Sequence, residues 1–153
     1  MEKIDIVLAS GSPRRKELME REGVEFTVRV SEVDESLEPD LLRRPEEAAK
    51  KLAERKARAV LEEMLNEAYV GTAMVVGADT MVVADGVIYG KPEDEADARR
   101  ILGELSGRAH QVITGVSVWL AGAPANEEDI SIAFRSFAET SHVFFKELDE
   151  ELI

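Results

Sequence analysis

Ile4-Asp5-Ile6-Val7-Leu8-Ala9-Ser10-Gly11-Ser12-Pro13-Arg14-Arg15 is a short apolar run that breaks into a turn and then turns basic. Ile4, Ile6, Val7 and Leu8 read as a buried strand, and the Ser-Gly-Ser-Pro cluster as the tight turn that ends it. Ser12 suits the N-cap of a helix. Pro13 suits its first position, where the missing N–H would have no partner anyway. The helix runs to about Arg21, and Gly23 closes it. Strand, turn and helix in this order are the first half of an α/β unit.

The rest of the chain repeats the alternation. Phe26, Val28 and Val30 alternate as in a strand, and acidic Ser31–Asp40 reads as a loop. Pro45 to about Ala68 is rich in Ala, Glu, Lys and Leu without internal Gly or Pro. It predicts a long helix with Ala49, Leu52, Ala53, Lys56, Ala59 and Val60 along one stripe. Ala73–Ala78 and Met81–Ala84 flank Asp79-Thr80 and form one long strand, and Asp85-Gly86 turns it into Val87–Tyr89. Glu93–Leu105 is a second helix, with Ala96, Ile101, Leu102 and Leu105 as its core face. Strands follow at about His110–Leu120 and Ile130–Phe145, and Asp149–Ile153 reads as the first turn of another helix. Strands and helices interleave, so the fold class is α/β with a mixed sheet.

Composition sets the outer limits. The chain has 153 residues, no cysteine, two histidines and a formal net charge of −13. At 44% hydrophobic and 33% charged, it has the make-up of a soluble globular domain rather than a disordered chain. Disulfides, zinc thiolates and thiol catalysis are excluded, and a multi-histidine metal centre is disfavoured. No apolar run reaches the roughly 18 residues of a membrane span, and the N-terminus lacks a signal-peptide core. These features lead us to expect a cytoplasmic protein with no membrane partner. The negative charge argues against binding nucleic acid over the whole surface, yet leaves room for a small anion at a local basic cluster.

Several residues could carry chemistry. Ser10, Ser12, Arg14 and Arg15 combine hydroxyls, a helix start and forked cations, which suits phosphate; an ordinary capped helix with solvated arginines is the plain alternative. Asp79 stands inside the apolar run Met74–Val83, where a carboxylate is costly unless paired, hydrogen-bonded or metal-bound. It could deprotonate water or ligate a hard cation, or it could be a structural strand acid. Lys91, between Gly90 and Pro92, could meet a phosphate or simply be a solvated loop lysine. Lys56 sits on an apolar stripe, where it either snorkels or reaches a ligand. Asp34-Glu35 could share Mg²⁺ or Mn²⁺ with Asp79; loop acids are more often just solvated. His110 reads as a hydrogen-bonding structural residue, and the aromatic set Trp119, Phe134, Phe137, Phe144 and Phe145 as strand packing.

The order of these segments is more specific than any one of them. Leu8–Arg15, Val30–Glu35, Leu52–Ala57, Gly77–Thr80, Gly90–Pro92, Leu105–His110 and Thr114–Val116 together resemble the Maf family along essentially the whole chain. The resemblance implies a nucleoside triphosphate pyrophosphatase, known under an older name as a septum formation inhibitor. Its fold is similar to that of the inosine-triphosphate pyrophosphatases, bilobal with a cleft. It places Ser10, Ser12, Arg14 and Arg15 on the nucleotide and makes Glu35, Lys56, Asp79 and Lys91 the catalytic group. Glu35 and Asp79 become the ligands of Mg²⁺ or Mn²⁺, with Asp79 open to either role, base or ligand. Thr80 after Asp79 looks like the branch acting on dTTP and UTP. Family habit implies a homodimer. Family members continue for several tens of residues beyond the position of Ile153, so the expectation is a single domain over 1–153 lacking the C-terminal part of its second lobe. The competing reading is a nucleotide-binding regulator of cell division with little turnover.

Overall fold

The computed structural model describes residues 3–90, 92–124 and 129–149. Its elements are β1 (Ile4–Leu8), α1 (Pro13–Arg21), β2 (Thr27–Val28), α2 (Pro39–Leu42), α3 (Pro45–Asn66), β3 (Gly71–Ala84), β4 (Val87–Tyr89), α4 (Glu95–Leu105), β5 (Ala109–Ala123) and β6 (Ser131–Phe144). The strands form one mixed sheet in the order β2-β1-β3-β5-β6, with β4 paired to the end of β3. β1 is parallel to both β2 and β3, as helical crossovers require. β3, β5 and β6 run antiparallel.

Local signals behave as their chemistry dictates. The Ser12 side chain accepts from Arg15 N, with Pro13 in the first turn of α1. Asp85 and Gly86 take φ of 49° and 78°, the left-handed pair that a two-residue hairpin needs. Other expectations need correction. The strand foreseen over Phe26–Val30 is only Thr27–Val28, since β2 pairs along just the last residues of the short β1. Pro39–Leu42 is a helical turn rather than the tail of a loop. Ala96 is exposed on α4, where Leu105 is the one residue fully buried. The helical turn expected over Asp149–Ile153 lies largely outside the described residues.

The core lies between α3 and one face of the sheet. Ala48, Ala49, Leu52, Ala53, Ala57, Val60, Leu61 and Met64 recur every three or four residues and are all buried. They meet Ala73, Val75, Met81, Val83, Ile113 and Ala121 from β3 and β5. Leu61 is among the largest fully enclosed side chains, so its truncation to Ala should cost about 2–5 kcal/mol. Two glycines set how closely helix and sheet approach. A Cβ on Gly77 would stand 2.4 Å from the Ala53 carbonyl oxygen, and one on Gly115 2.3 Å from that of Ala49. Only hydrogen fits at either place.

The register of β1 on β3 creates the gap that matters. β1 ends with Leu8 beside Val76, and Ala9 N still reaches Val76 O at 2.8 Å. β3 continues to Ala84, and β4 joins that same edge only at Val82–Ala84. Between them, the edge of β3 around Asp79 and Thr80 faces the chain leaving β1 at Ser10. In sheets built this way, the carboxyl ends of parallel strands are where ligands gather.

Candidate active site

Asp79 lies on the α3 face of β3, two residues beyond Gly77, where the helix comes close. That face directs its carboxylate at Lys56, one turn along α3 from Ala53. Lys56 Nζ donates to Asp79 Oδ1 at 2.8 Å and approaches Glu35 Oε1 at 3.4 Å. Both side chains of the closer pair are largely enclosed, at 21% and 12% exposure, whereas Glu35 reaches in from an exposed loop. Pairing is what makes a carboxylate inside this strand tolerable. The apolar-stripe lysine is therefore an ion-pair partner of Asp79.

On the other side of the gap, Arg15 links α1 to the sheet. Its Nη1 donates to Ser10 Oγ at 2.9 Å and its Nη2 to Thr80 Oγ1 at 3.0 Å. Ser10 Oγ also accepts from Ser12 N at 3.2 Å, which closes the turn. Burial lowers the Arg15 pKa, opposed by the negative charge of Asp79. Thr80 Oγ1 lies 3.2 Å from Thr114 Oγ1 on β5, its partner in the strand register. A half-buried guanidinium, the start of α1, an ammonium and two carboxylates thus border the opening along the β3 edge at Asp79 and Thr80.

The structure brings together Ser10, Ser12, Arg15, Glu35, Lys56, Asp79 and Thr80. Arg14 is exposed on α1. Lys91 lies outside the described residues. Asp34 makes a local bond within its loop, its Oδ1 accepting from Ser36 N at 2.9 Å. Among the described residues, no three His, Cys, Asp or Glu side chains cluster closely enough to hold an ion. His110 is buried with its ring edge-on to Phe145, 4.6 Å between centroids. Among the described residues its Nδ1 has no hydrogen-bond partner, so the hydrogen-bonding role expected for it is not what this nitrogen plays.

A family model described as Maf-like protein matches residues 5–153. The chain belongs to the Maf-like family. Within the curated proteins it is 51% identical over 114 residues to a dTTP/UTP pyrophosphatase of Symbiobacterium thermophilum, covering 74% of this chain and 54% of that protein. It is 40% identical over 153 residues to a dTTP/UTP pyrophosphatase of Phocaeicola vulgatus, covering all of this chain and 71% of the other. A third of the same name, from Bacillus thuringiensis subsp. konkukian, is 43% identical over 148 residues, 68% of its length. This Maf-like chain thus spans between about half and seven tenths of those relatives.

Thr114 and Arg55 fall within the motif segments, but their contacts beside the candidate site carry no sequence signal. Thr114 touches Thr80 only because β3 and β5 pair in one particular register, and alternation reveals a face, never a register. Arg55 donates through Nη1 to the carbonyls of Asp34, at 2.9 Å, and Ser36, at 2.6 Å. Next to Lys56 on an arginine- and lysine-rich helix, it carries no signal of its own.

Proposed function

We propose that this chain hydrolyses nucleoside triphosphates to the monophosphate and pyrophosphate, with dTTP and UTP as substrates. The observation that carries the reading is the enclosed Asp79–Lys56 pair, set across the opening from Arg15 and Ser10. It joins a carboxylate able to take a proton from water to cations able to hold phosphate oxygens. The names of the relatives support the same substrates.

In this reading the phosphates lie against Arg15, Ser10, Ser12 and the N-terminus of α1, with Arg14 at the rim. Asp79 Oδ orients a water and accepts its proton as the water oxygen attacks the α-phosphorus. The bond from the α-phosphorus to the bridging oxygen breaks, and its electron pair leaves with pyrophosphate. Lys56 and Lys91 neutralise the charge that builds on the phosphate oxygens, the term on which phosphoryl transfer chiefly depends. Glu35 and Asp79 both point at one cation position, held here by the Lys56 ammonium. Two hard carboxylates fit Mg²⁺ or Mn²⁺ in the mode completed by water and substrate phosphate, so these two residues would hold the ion. Such an ion supplies Lewis-acid polarisation of a phosphoryl oxygen.

In this reading the enzyme works on the cytoplasmic nucleotide pool. None of the described helices is long and apolar enough to cross a membrane. For the homodimer that the family resemblance implies, the edge of β6, which pairs with no further strand among the described residues, is the candidate surface.

The test is pyrophosphate release from dTTP, UTP, CTP, ATP and GTP with Mg²⁺ or Mn²⁺, for the native chain and Asp79→Asn. Turnover selective for dTTP and UTP, falling about 10²–10⁴-fold in the variant, is the expected result. Nucleotide binding without turnover in the native chain would favour the regulator instead.

A further inference from the structure

Between β2 and α2, residues 29–38 form neither helix nor strand, yet they are tied to α3 along its length. The Arg29 guanidinium bonds the Glu67 carboxylate and reaches Glu63 Oε2 at 3.5 Å. The Ser31 hydroxyl bonds Glu63. Further on, Arg55 Nη1 takes the carbonyls of Asp34 and Ser36, the two residues that flank Glu35. Leu37 and Leu41 then pack on the buried cluster around Ala48, Ala49 and Leu52. The segment therefore runs antiparallel to the helix, from its C-terminal end toward its start.

Strap and helix are of comparable length between these contacts. From Glu67 to Arg55 the helix rises about 18 Å. From Arg29 to Glu35 the chain can span at most about 20–22 Å when fully extended. The anchors at Arg29 and Arg55 bracket Glu35 along α3. The nearer one is Arg55, which grips both neighbouring carbonyls with a single nitrogen. Asp34 Oδ1 also accepts from Ser36 N, bracing the backbone on either side of Glu35. Glu35 itself is exposed and contributes only a 3.4 Å approach to Lys56. An exposed ion pair at that distance holds a loop weakly.

We propose that Arg55 is a positioning residue: it fixes the strap so that the Glu35 carboxylate faces Lys56 and Asp79. The inference rests on the reading of Glu35 as part of a pyrophosphatase site. Arg55 touches no reacting group. It acts through backbone carbonyls, so its loss should move Glu35 without removing any charge from the opening itself.

Three single variants and one double test this in the 153-residue chain: Arg55→Met, which keeps the apolar stem, Arg55→Lys, which restores a donor, Glu35→Gln, and Arg55→Met with Glu35→Gln. Arg55→Met should lower kcat for dTTP hydrolysis by as much as Glu35→Gln, up to about 10²-fold for a misplacement near 1 Å. KM should stay within about threefold, because no phosphate contact is lost. Arg55→Lys should recover most of the rate. Adding Arg55→Met to Glu35→Gln should cost nothing further, as expected when one residue acts through the other. A raised KM with unchanged kcat, or losses that multiply in the double variant, would overturn the proposal. A second readout is independent of activity. A glutamate-specific protease should cut Arg55→Met after Glu32 and Glu35 faster than the native chain, with circular dichroism unchanged. Equal cutting rates would sink the strap even in a chain that proved inactive, whereas inactivity of the native chain alone would count against the pyrophosphatase reading.

Discussion

Lys56 Nζ and Asp79 Oδ1 are 2.8 Å apart, and the pair ties the middle of α3 to the middle of β3. Each residue makes the other affordable. The ammonium lies on the apolar stripe of a helix, the carboxylate within an apolar strand, and neither reaches bulk water freely. Their contact exists because Gly77 and Gly115 let the helix backbone rest directly on the sheet. Packing and chemistry therefore meet in the same few residues.

Removing one partner should show this coupling. Lys56→Met leaves Asp79 enclosed without its cation, and stability should fall by about 1–3 kcal/mol in urea unfolding. Combined with Asp79→Asn, the same change should cost clearly less than the sum of the two alone. Additive losses would mean that the pair is not a stabilising contact.

Glycine substitutions separate close packing from helix propensity. Gly77→Ala drives a Cβ into the Ala53 carbonyl, and backbone cannot yield as a side-chain tip does, so a loss of about 3 kcal/mol or more is expected. Gly103, inside α4, has open space where its Cβ would go, and Gly103→Ala should stabilise by about 0.5–1 kcal/mol. Thermal melts followed by circular dichroism of the two variants should move in opposite directions.

Alkaline pH offers a third check. Burial first, then a hydrogen bond to Asp5, pushes the Tyr69 pKa up to about 12. Its hydroxyl lies 2.6 Å from Asp5 Oδ2 and 3.1 Å from the Thr72 carbonyl. A folded-state pKa above the unfolded value near 10 means that this stabilisation is complete below about pH 10 and is lost as pH rises through 12. Tyr69→Phe should flatten the alkaline limb of the stability curve. An ultraviolet titration in which the Tyr69 phenol ionises near 10 would contradict this.

Thr114 gives a prediction on the ligand side. Thr114→Val removes the hydroxyl 3.2 Å from Thr80 Oγ1 and frees Thr80 to rotate away from Arg15. The loss of one ordinary hydrogen bond corresponds to a rise in KM for dTTP of about two- to tenfold, with kcat little changed. Steady-state kinetics with Thr114→Ser as the restoring variant would check it.

Much of this was legible residue by residue. Ser12 and Pro13 announced α1, the Ala- and Leu-bearing stripe announced α3, and Asp85-Gly86 announced the hairpin, because each rests on interactions within a few residues. Asp79 and Lys56 stood out separately as charges in apolar settings. Their partnership came only from the family resemblance; spacing alone does not reveal it, since strand and helix meet through contacts far apart in sequence. Ala96 misled for the same reason: amphipathic spacing says which residues share a face, not whether anything covers it.

The sequence by itself determined the α/β alternation, the caps and turns, and the residues whose burial would demand a partner. These depend on local dihedral preferences and on the cost of enclosing a charge. Only the tertiary structure decided that β1 stops where β3 continues, that Thr114 stands beside Thr80, and that Arg55 rather than Glu35 holds the strap. Those outcomes depend on strand register and on how closely two glycines let a helix approach, and such distances are fixed only when the whole core packs at once.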